Sequence, residues 1–165
     1  MSSIVGDGQS HSEIGSAEGA QEWFASGLRF ECTMCGNCCS GPPGAVWFTQ
    51  EEARSMAREL NVPEQEFLKA YARRVGVSWS LKEKQTDHGL DCIFLDRETR
   101  PGKALCKVYK SRPTQCRTWP FWPEMLESAE AWRDFKKRTP CPGMDTGKSY
   151  TYAQIRVIRE EAEAR

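Results

Sequence analysis

The segment ECTMCGNCCSGPPG, Glu31 to Gly44, places four of the chain's eight cysteines within eight positions, two of them adjacent. Cys32, Cys35 and Cys38 read C-x2-C-x2-C, and Cys39 follows at once. Two intervening residues let a tight turn bring two sulfurs to one ion. Gly36, Asn37, Ser40, Gly41 and Gly44 are the small, turn-forming residues such a bend needs. A thiol-dense loop of this kind organises the chain around it.

Upstream, "LRFE" is strand-like and leads into the loop, with Trp23 and Phe24 before it. Downstream, "AVWF" (Ala45 to Phe48) reads as a short strand, and Thr49-Gln50-Glu51-Glu52 as a capping box opening a helix. Ala53, Met56, Ala57 and Leu60 form the i, i+3, i+4, i+7 face of that helix. Pro63 opens a second helix with Phe67, Leu68, Tyr71 and Val75 on its apolar side. "VSWSLK" alternates with strand period, which predicts Val77, Trp79 and Leu81 on one face. "CIFLD" and "KALCKVY" flank Pro101-Gly102, predicting a hairpin with Cys92 on one arm and Cys106 on the other. "SRPTQCRTWPFWP" is proline-rich and irregular. Pro123 opens a helix with Met125, Ala129 and Trp132 inward. After the loop "TPCPGMDTG", a last helix runs from about Ser149 with Tyr152, Ile155, Ile158 and Ala162 on one side. The expectation is an α+β fold: about four helices around a small antiparallel sheet or hairpin, with the cysteines on loops and strand ends.

The 165 residues suit one domain, read as 23–165, after a small, polar, glycine-rich tail over 1–22. That tail has no basic start followed by an apolar block, so no signal peptide is expected. No apolar run approaches the roughly 20 residues of a membrane span. Lys plus Arg and Asp plus Glu both number 23, so no net field points toward nucleic acid or an anionic membrane. A cytoplasmic chain in a reducing compartment uses clustered cysteines for metal or redox chemistry rather than for disulfides.

Thiolates are soft ligands that suit zinc, iron–sulfur clusters or copper(I). Three cysteines at this spacing with a distant Cys-Pro is how bacterial ferredoxins hold a cubane cluster, and Cys141-Pro142 is such a pair. Adjacent residues in extended backbone point to opposite sides, so Cys38 and Cys39 are not expected to grip one ion in the same way. Two centres sharing the loop, or a cluster with two metal atoms, both answer that geometry, and the partition of the eight thiols stays open. Lys107, Lys110, Arg112 and Arg117 are candidate counter-charges, and Trp119, Phe121 and Trp122 a candidate dry wall.

"CTMCGNCC", "CIFLD", "CKVYKSRPTQCRTWPF" and a last cysteine together resemble the CxxCxxCC cysteine-cluster family, a domain described as zinc- or iron-chelating and often linked to Fe–S proteins. The resemblance spans roughly Cys32 to Cys141. It implies a metal site of Cys32, Cys35, Cys38, Cys39, Cys92, Cys106, Cys116 and Cys141. The cofactor it implies is zinc or iron, with a 4Fe–4S or 2Fe–2S cluster among the forms. Some larger relatives resemble flagellin lysine methylases, an activity not carried over to this short chain.

Other signatures do not fit. A radical-SAM site needs C-x3-C-x2-C. The later cysteines are 14, 10 and 25 positions apart, so no second zinc knuckle exists. Gly143 and Gly147 are one residue too close for a phosphate loop. His88 stands four before Cys92 and reads as a surface residue, and no His–carboxylate constellation marks a catalytic site. The expected function is therefore chelation of zinc or iron through cysteine thiolates, in redox or electron transfer with a protein partner or electron carrier. The competing reading is a structural zinc module that presents an interaction surface.

Overall fold

The computed structural model describes residues 22–164. Of the tail expected over 1–22, all but Glu22 lies outside the described residues. Glu22 itself belongs to the folded part, since its carboxylate pairs with Arg159.

Two apolar cores organise the molecule. The first is built by the N-terminal half. Strand β1 (Leu28–Phe30) precedes the cysteine loop, which contains a 3-10 turn (Asn37–Cys39) and β2 (Ser40–Gly41). Next come β3 (Trp47–Phe48), α1 (Gln50–Glu59) and α2 (Glu64–Tyr71). The predicted capping box is present in both directions: Thr49 N–H donates to Glu52 Oε2 (2.8 Å) and Glu52 N–H donates to Thr49 Oγ1 (3.2 Å). Ala53, Met56 and Ala57 are the buried face of α1, and Phe67 that of α2. They pack with Phe48, Ala72, Leu81, Phe94 and Val108.

Strands β4 (Ala72–Val75) and β5 (Ser78–Leu81) form a hairpin, and β3 pairs with β5 to complete a three-stranded antiparallel sheet. The predicted face of "VSWSLK" is only partly right. Leu81 is buried, but Val77 lies in the turn and is 90% exposed, while Ser80 is fully buried. Ser80 tolerates burial because its hydroxyl accepts from Val46 N–H (3.1 Å) and donates to the Leu81 carbonyl (3.1 Å).

A second three-stranded sheet joins β2 to β7 (Gly89–Cys92) and β6 (Glu83–Thr86). Strands β8 (Leu95–Asp96) and β9 (Leu105–Cys106) make the predicted hairpin around Pro101-Gly102. Cys106 is on that hairpin as expected. Cys92 is not; it ends β7 and pairs with Glu83.

The second core is aromatic and is built mainly by the C-terminal half, with Phe24 from the N-terminal end. The irregular proline-rich segment contains one helical turn, α3 (Thr114–Arg117). The single helix expected from Pro123 is two, α4 (Pro123–Leu126) and α5 (Ala129–Arg138). Ser128 breaks them: it is extended, and its side chain accepts from Ala131 N–H, so it starts a new helix rather than continuing the old one. The last helix, α6 (Tyr152–Glu163), begins later than Ser149 because β10 (Lys148–Tyr150) pairs with β1. Thr151 and Gln154 form its capping box. Phe24, Trp119, Phe121, Met125, Leu126, Trp132, Met144 and Ile155 fill this core.

The α+β class is therefore observed. Among the described residues there are six α-helices rather than about four, two of them single turns, and four small antiparallel sheets rather than one. Among those residues no helix is long and apolar enough to cross a membrane.

Candidate metal centre

The cysteine loop is held between the two cores by hydrogen bonds on both sides. Toward the N-terminal core, Ala104 N–H donates to the Met34 carbonyl (2.8 Å) and Lys103 Nζ to the Thr33 carbonyl (3.0 Å). Toward the C-terminal core, Glu31 N–H donates to the Gly143 carbonyl (3.1 Å) and Asn37 Nδ2 to the Pro140 carbonyl (2.7 Å). Both sides require glycine. Gly36 has φ +79°, and a Cβ there would stand 2.7 Å from Ala104 Cβ and 3.2 Å from Arg97 Nη1. A Cβ at Gly143 would stand 1.9 Å from the Glu31 carbonyl oxygen. The loop is thus pressed against its neighbours to a degree that any side chain would prevent.

This placement gathers cysteines from four separate stretches. Cys32, Cys38, Cys39, Cys92, Cys106 and Cys116 line one cavity of about 380 Å³. Its other walls are apolar, with Leu81, Phe94 and Val108 from the N-terminal core. Cys35 and Cys141 lie elsewhere. Cys141, 4% exposed, is part of the aromatic core, and Cys35 packs against that core.

The vicinal pair departs from the expectation of opposed side chains. Cys38 and Cys39 are in a 3-10 turn, not in extended backbone, because Cys39 N–H bonds back to the Gly36 carbonyl (2.9 Å). Their sulfurs stand 3.6 Å apart and both face the cavity. A tetrahedral ion with sulfurs at about 2.3 Å sets neighbouring sulfurs about 3.8 Å apart, so this pair is spaced to share one metal. Among the described residues, no three His, Cys, Asp or Glu side chains already surround a single point in gripping geometry. The thiols share the walls, and side-chain rotation separates that arrangement from a closed coordination shell.

The thiols' electrostatics follow from this crowding. The hydrogen bond with Cys38, then burial, push the Cys39 thiol well up, and the same hydrogen bond lowers Cys38. Burial pushes Cys92 up to about 11 and raises Cys106 and Cys116 as well, with neighbouring thiolates adding to the effect. Cys141 is raised first by burial and also by Cys35. A cation entering this largely apolar cavity would displace the protons of the thiols that burial raises.

One cation is already at the wall. Arg112 lines the cavity, lies over the Tyr109 ring at 3.9 Å, and draws down Cys38, Cys106 and Cys116 electrostatically. Its Nε is buried with no hydrogen-bond partner among the described residues. A buried, unsatisfied donor costs about 1–3 kcal/mol unless an acceptor is supplied. A metal-bound thiolate is such an acceptor, so this donor set fits a thiolate-bound zinc or iron, which Cys32, Cys38, Cys39, Cys92, Cys106 and Cys116 would hold.

The other expected counter-charges are engaged elsewhere. Arg117 pairs with Glu161 (2.6 Å) and Lys107 with Asp96 (3.9 Å), while Lys110 acts on Glu59. The expected wall of Trp119, Phe121 and Trp122 belongs to the aromatic core. His88 does not line the cavity; it borders a groove beside Cys35.

Two positioning residues escaped the sequence reading. Arg97 ion-pairs with Asp91 (2.9 Å), which is only 1% exposed and also accepts from Ser40, the neighbour of Cys39. The Arg97 guanidinium thereby sits beside Gly36 and senses Cys39 and Cys35. Glu52, besides capping α1, accepts from Thr114 N–H (2.6 Å) and Thr114 Oγ1 (2.7 Å), which anchors the turn that carries Cys116.

The described structure thus holds a thiol-lined, largely apolar cavity with a half-buried cation at its wall. The chain belongs to the CxxCxxCC family, whose model matches residues 31–142 and is described as "Putative zinc- or iron-chelating domain". It is also similar to an uncharacterized protein of Methanocaldococcus jannaschii, 36% identical over 99 residues, covering 59% of this chain. The match spans 48% of that relative's length, about half. No solved structure matches the chain.

Proposed function

We propose that this protein holds zinc or iron through thiolates drawn from its eight cysteines, and that the bound form is an iron–sulfur centre, of 4Fe–4S or 2Fe–2S type, serving electron transfer. The carrying observation is the single cavity in which six cysteines from distant parts of the chain meet the unsatisfied Nε of Arg112. Soft thiolates in a largely apolar pocket are the ligand set of both zinc and iron–sulfur sites. Cys32 and Cys38 are exposed at the edge of the cavity, which offers an electron a short path to a carrier protein in the cytoplasm.

A structural zinc module is the second reading. It is favoured by the way the loop ties the two cores together through Ala104 and Gly143.

Purification without oxygen separates the two. Iron with acid-labile sulfide and a broad absorption near 400 nm supports the electron-transfer reading. Stoichiometric zinc in a colourless protein replaces it with the structural one. A protein that binds neither metal under reducing conditions overturns both.

A further inference from the structure

We infer that the cavity holds a polynuclear metal–thiolate core on Cys32, Cys38, Cys39, Cys92, Cys106 and Cys116, and that Cys35 and Cys141 are not needed to hold it. This rests on the chelating function proposed above and assigns its ligands and nuclearity.

Three observations converge. The first is the number of thiols. A tetrahedral ion takes four ligands, and six thiols line this one cavity with no carboxylate or histidine among them. The second is size. A sphere of the Zn–S radius, 2.3 Å, encloses roughly 50 Å³. The cavity, at about 380 Å³, is several times larger. Side-chain rotation draws its walls inward, but one ion cannot draw in all six sulfurs. The third is the vicinal pair. With sulfurs 3.6 Å apart on one turn, Cys38 and Cys39 are spaced as two corners of one metal's coordination shell. They are thereby placed to join that metal to a neighbour held by Cys92, Cys106 and Cys116.

Charge agrees. Six thiolates around one divalent ion and Arg112 leave a formal charge of about −3 in an apolar cavity, and a second divalent ion reduces it to about −1. Each thiol gives up its proton to solvent as its metal bond forms. Cys35 and Cys141 do not line this cavity: Cys141 is buried in the aromatic core, Cys35 packs against that core, and the two thiols hydrogen-bond to each other.

The competing arrangement divides the eight cysteines into two separate four-thiolate centres. Native mass spectrometry of the anaerobically purified chain distinguishes the two, because it counts metal atoms and inorganic sulfide whatever the metal. The core proposed here predicts two or more metal atoms per chain in the unaltered protein. It predicts the same count in the double variant Cys35→Ser/Cys141→Ser. One metal atom per chain overturns the polynuclear core while leaving chelation standing. Loss of about half the metal in the double variant, with the rest retained, overturns the ligand assignment in favour of two centres. A metal-free chain overturns both this inference and the function on which it rests. Should the double variant fail to fold, the count in the unaltered protein and in Cys35→Ser alone still decides, since Cys35 is only partly buried.

Discussion

Gly36→Ala tests how tightly the cysteine loop is seated. Gly36 has φ +79°, where a residue with a Cβ loses about 1–2 kcal/mol. The new methyl would also stand 2.7 Å from Ala104 Cβ, on a segment bound to the loop through Met34. Forcing a methyl into a filled contact costs a further 1–3 kcal/mol, roughly. The expected loss is about 2–5 kcal/mol, which at a urea slope of about 2 kcal/mol/M moves the midpoint down by about 1–2.5 M. The two causes separate in a double-mutant cycle. Ala104→Gly removes the clashing atom but leaves the backbone strain, so Gly36→Ala/Ala104→Gly should be more stable than the single costs add to, by at least about 1 kcal/mol. The assay is urea unfolding of reduced protein followed by tryptophan fluorescence, with metal content measured alongside. An unchanged midpoint in Gly36→Ala, or costs that simply add in the double variant, would show that the loop is not pressed against Ala104 as described.

Three more outcomes follow from the same contacts. Glu52→Ala removes the carboxylate half of the α1 capping box and the anchor of Thr114, and should cost about 1–3 kcal/mol by urea unfolding while lowering metal content through the displaced Cys116. The Glu52 carboxyl itself is pushed up by burial, but its hydrogen bonds with Thr49 and Thr114 outweigh this and leave it below 4.5. Its contribution is therefore complete above that unfolded value and lost as pH falls through the lower folded one; the pH dependence of stability below about 4.5 should be shallower in Glu52→Gln than in the unaltered chain. Asp91→Ala leaves the part-exposed Arg97 guanidinium and Ser40 without their shared acceptor, and a loss of about 1–3 kcal/mol is expected, measured by thermal or urea unfolding.

The sequence was most legible where structure is local. Thr49–Glu52 and Thr151–Gln154 cap helices because a cap needs only neighbours three residues apart. The first is legible in the sequence, while the second lies two residues beyond the Ser149 start that the apolar periodicity suggests. The difference comes from β10, which exists only because Leu28–Phe30, more than a hundred residues away, pairs with it. The vicinal cysteines depart from the sequence expectation for a related reason. Period-two alternation applies to extended chain, and Gly36, in its left-handed conformation, instead starts a 3-10 turn that brings both sulfurs to one cavity.

The site was legible as a list of ligand-type residues and not as a geometry. Which thiols share the cavity depends on how two separate cores meet, and no spacing encodes that. Arg97 and the second role of Glu52 carried no local signal either: both act through partners made near only by folding, Gly36 in one case and Thr114 in the other. Among the four cations offered by proximity in sequence to Cys106 and Cys116, only Arg112 lines the cavity.

X-ray absorption at the metal edge of the anaerobically isolated protein examines the central claim most directly. Thiolate capture predicts a first shell made of sulfur alone, at about 2.3 Å. A shell of nitrogen and oxygen at about 2.0–2.2 Å would place the metal somewhere other than among these cysteines.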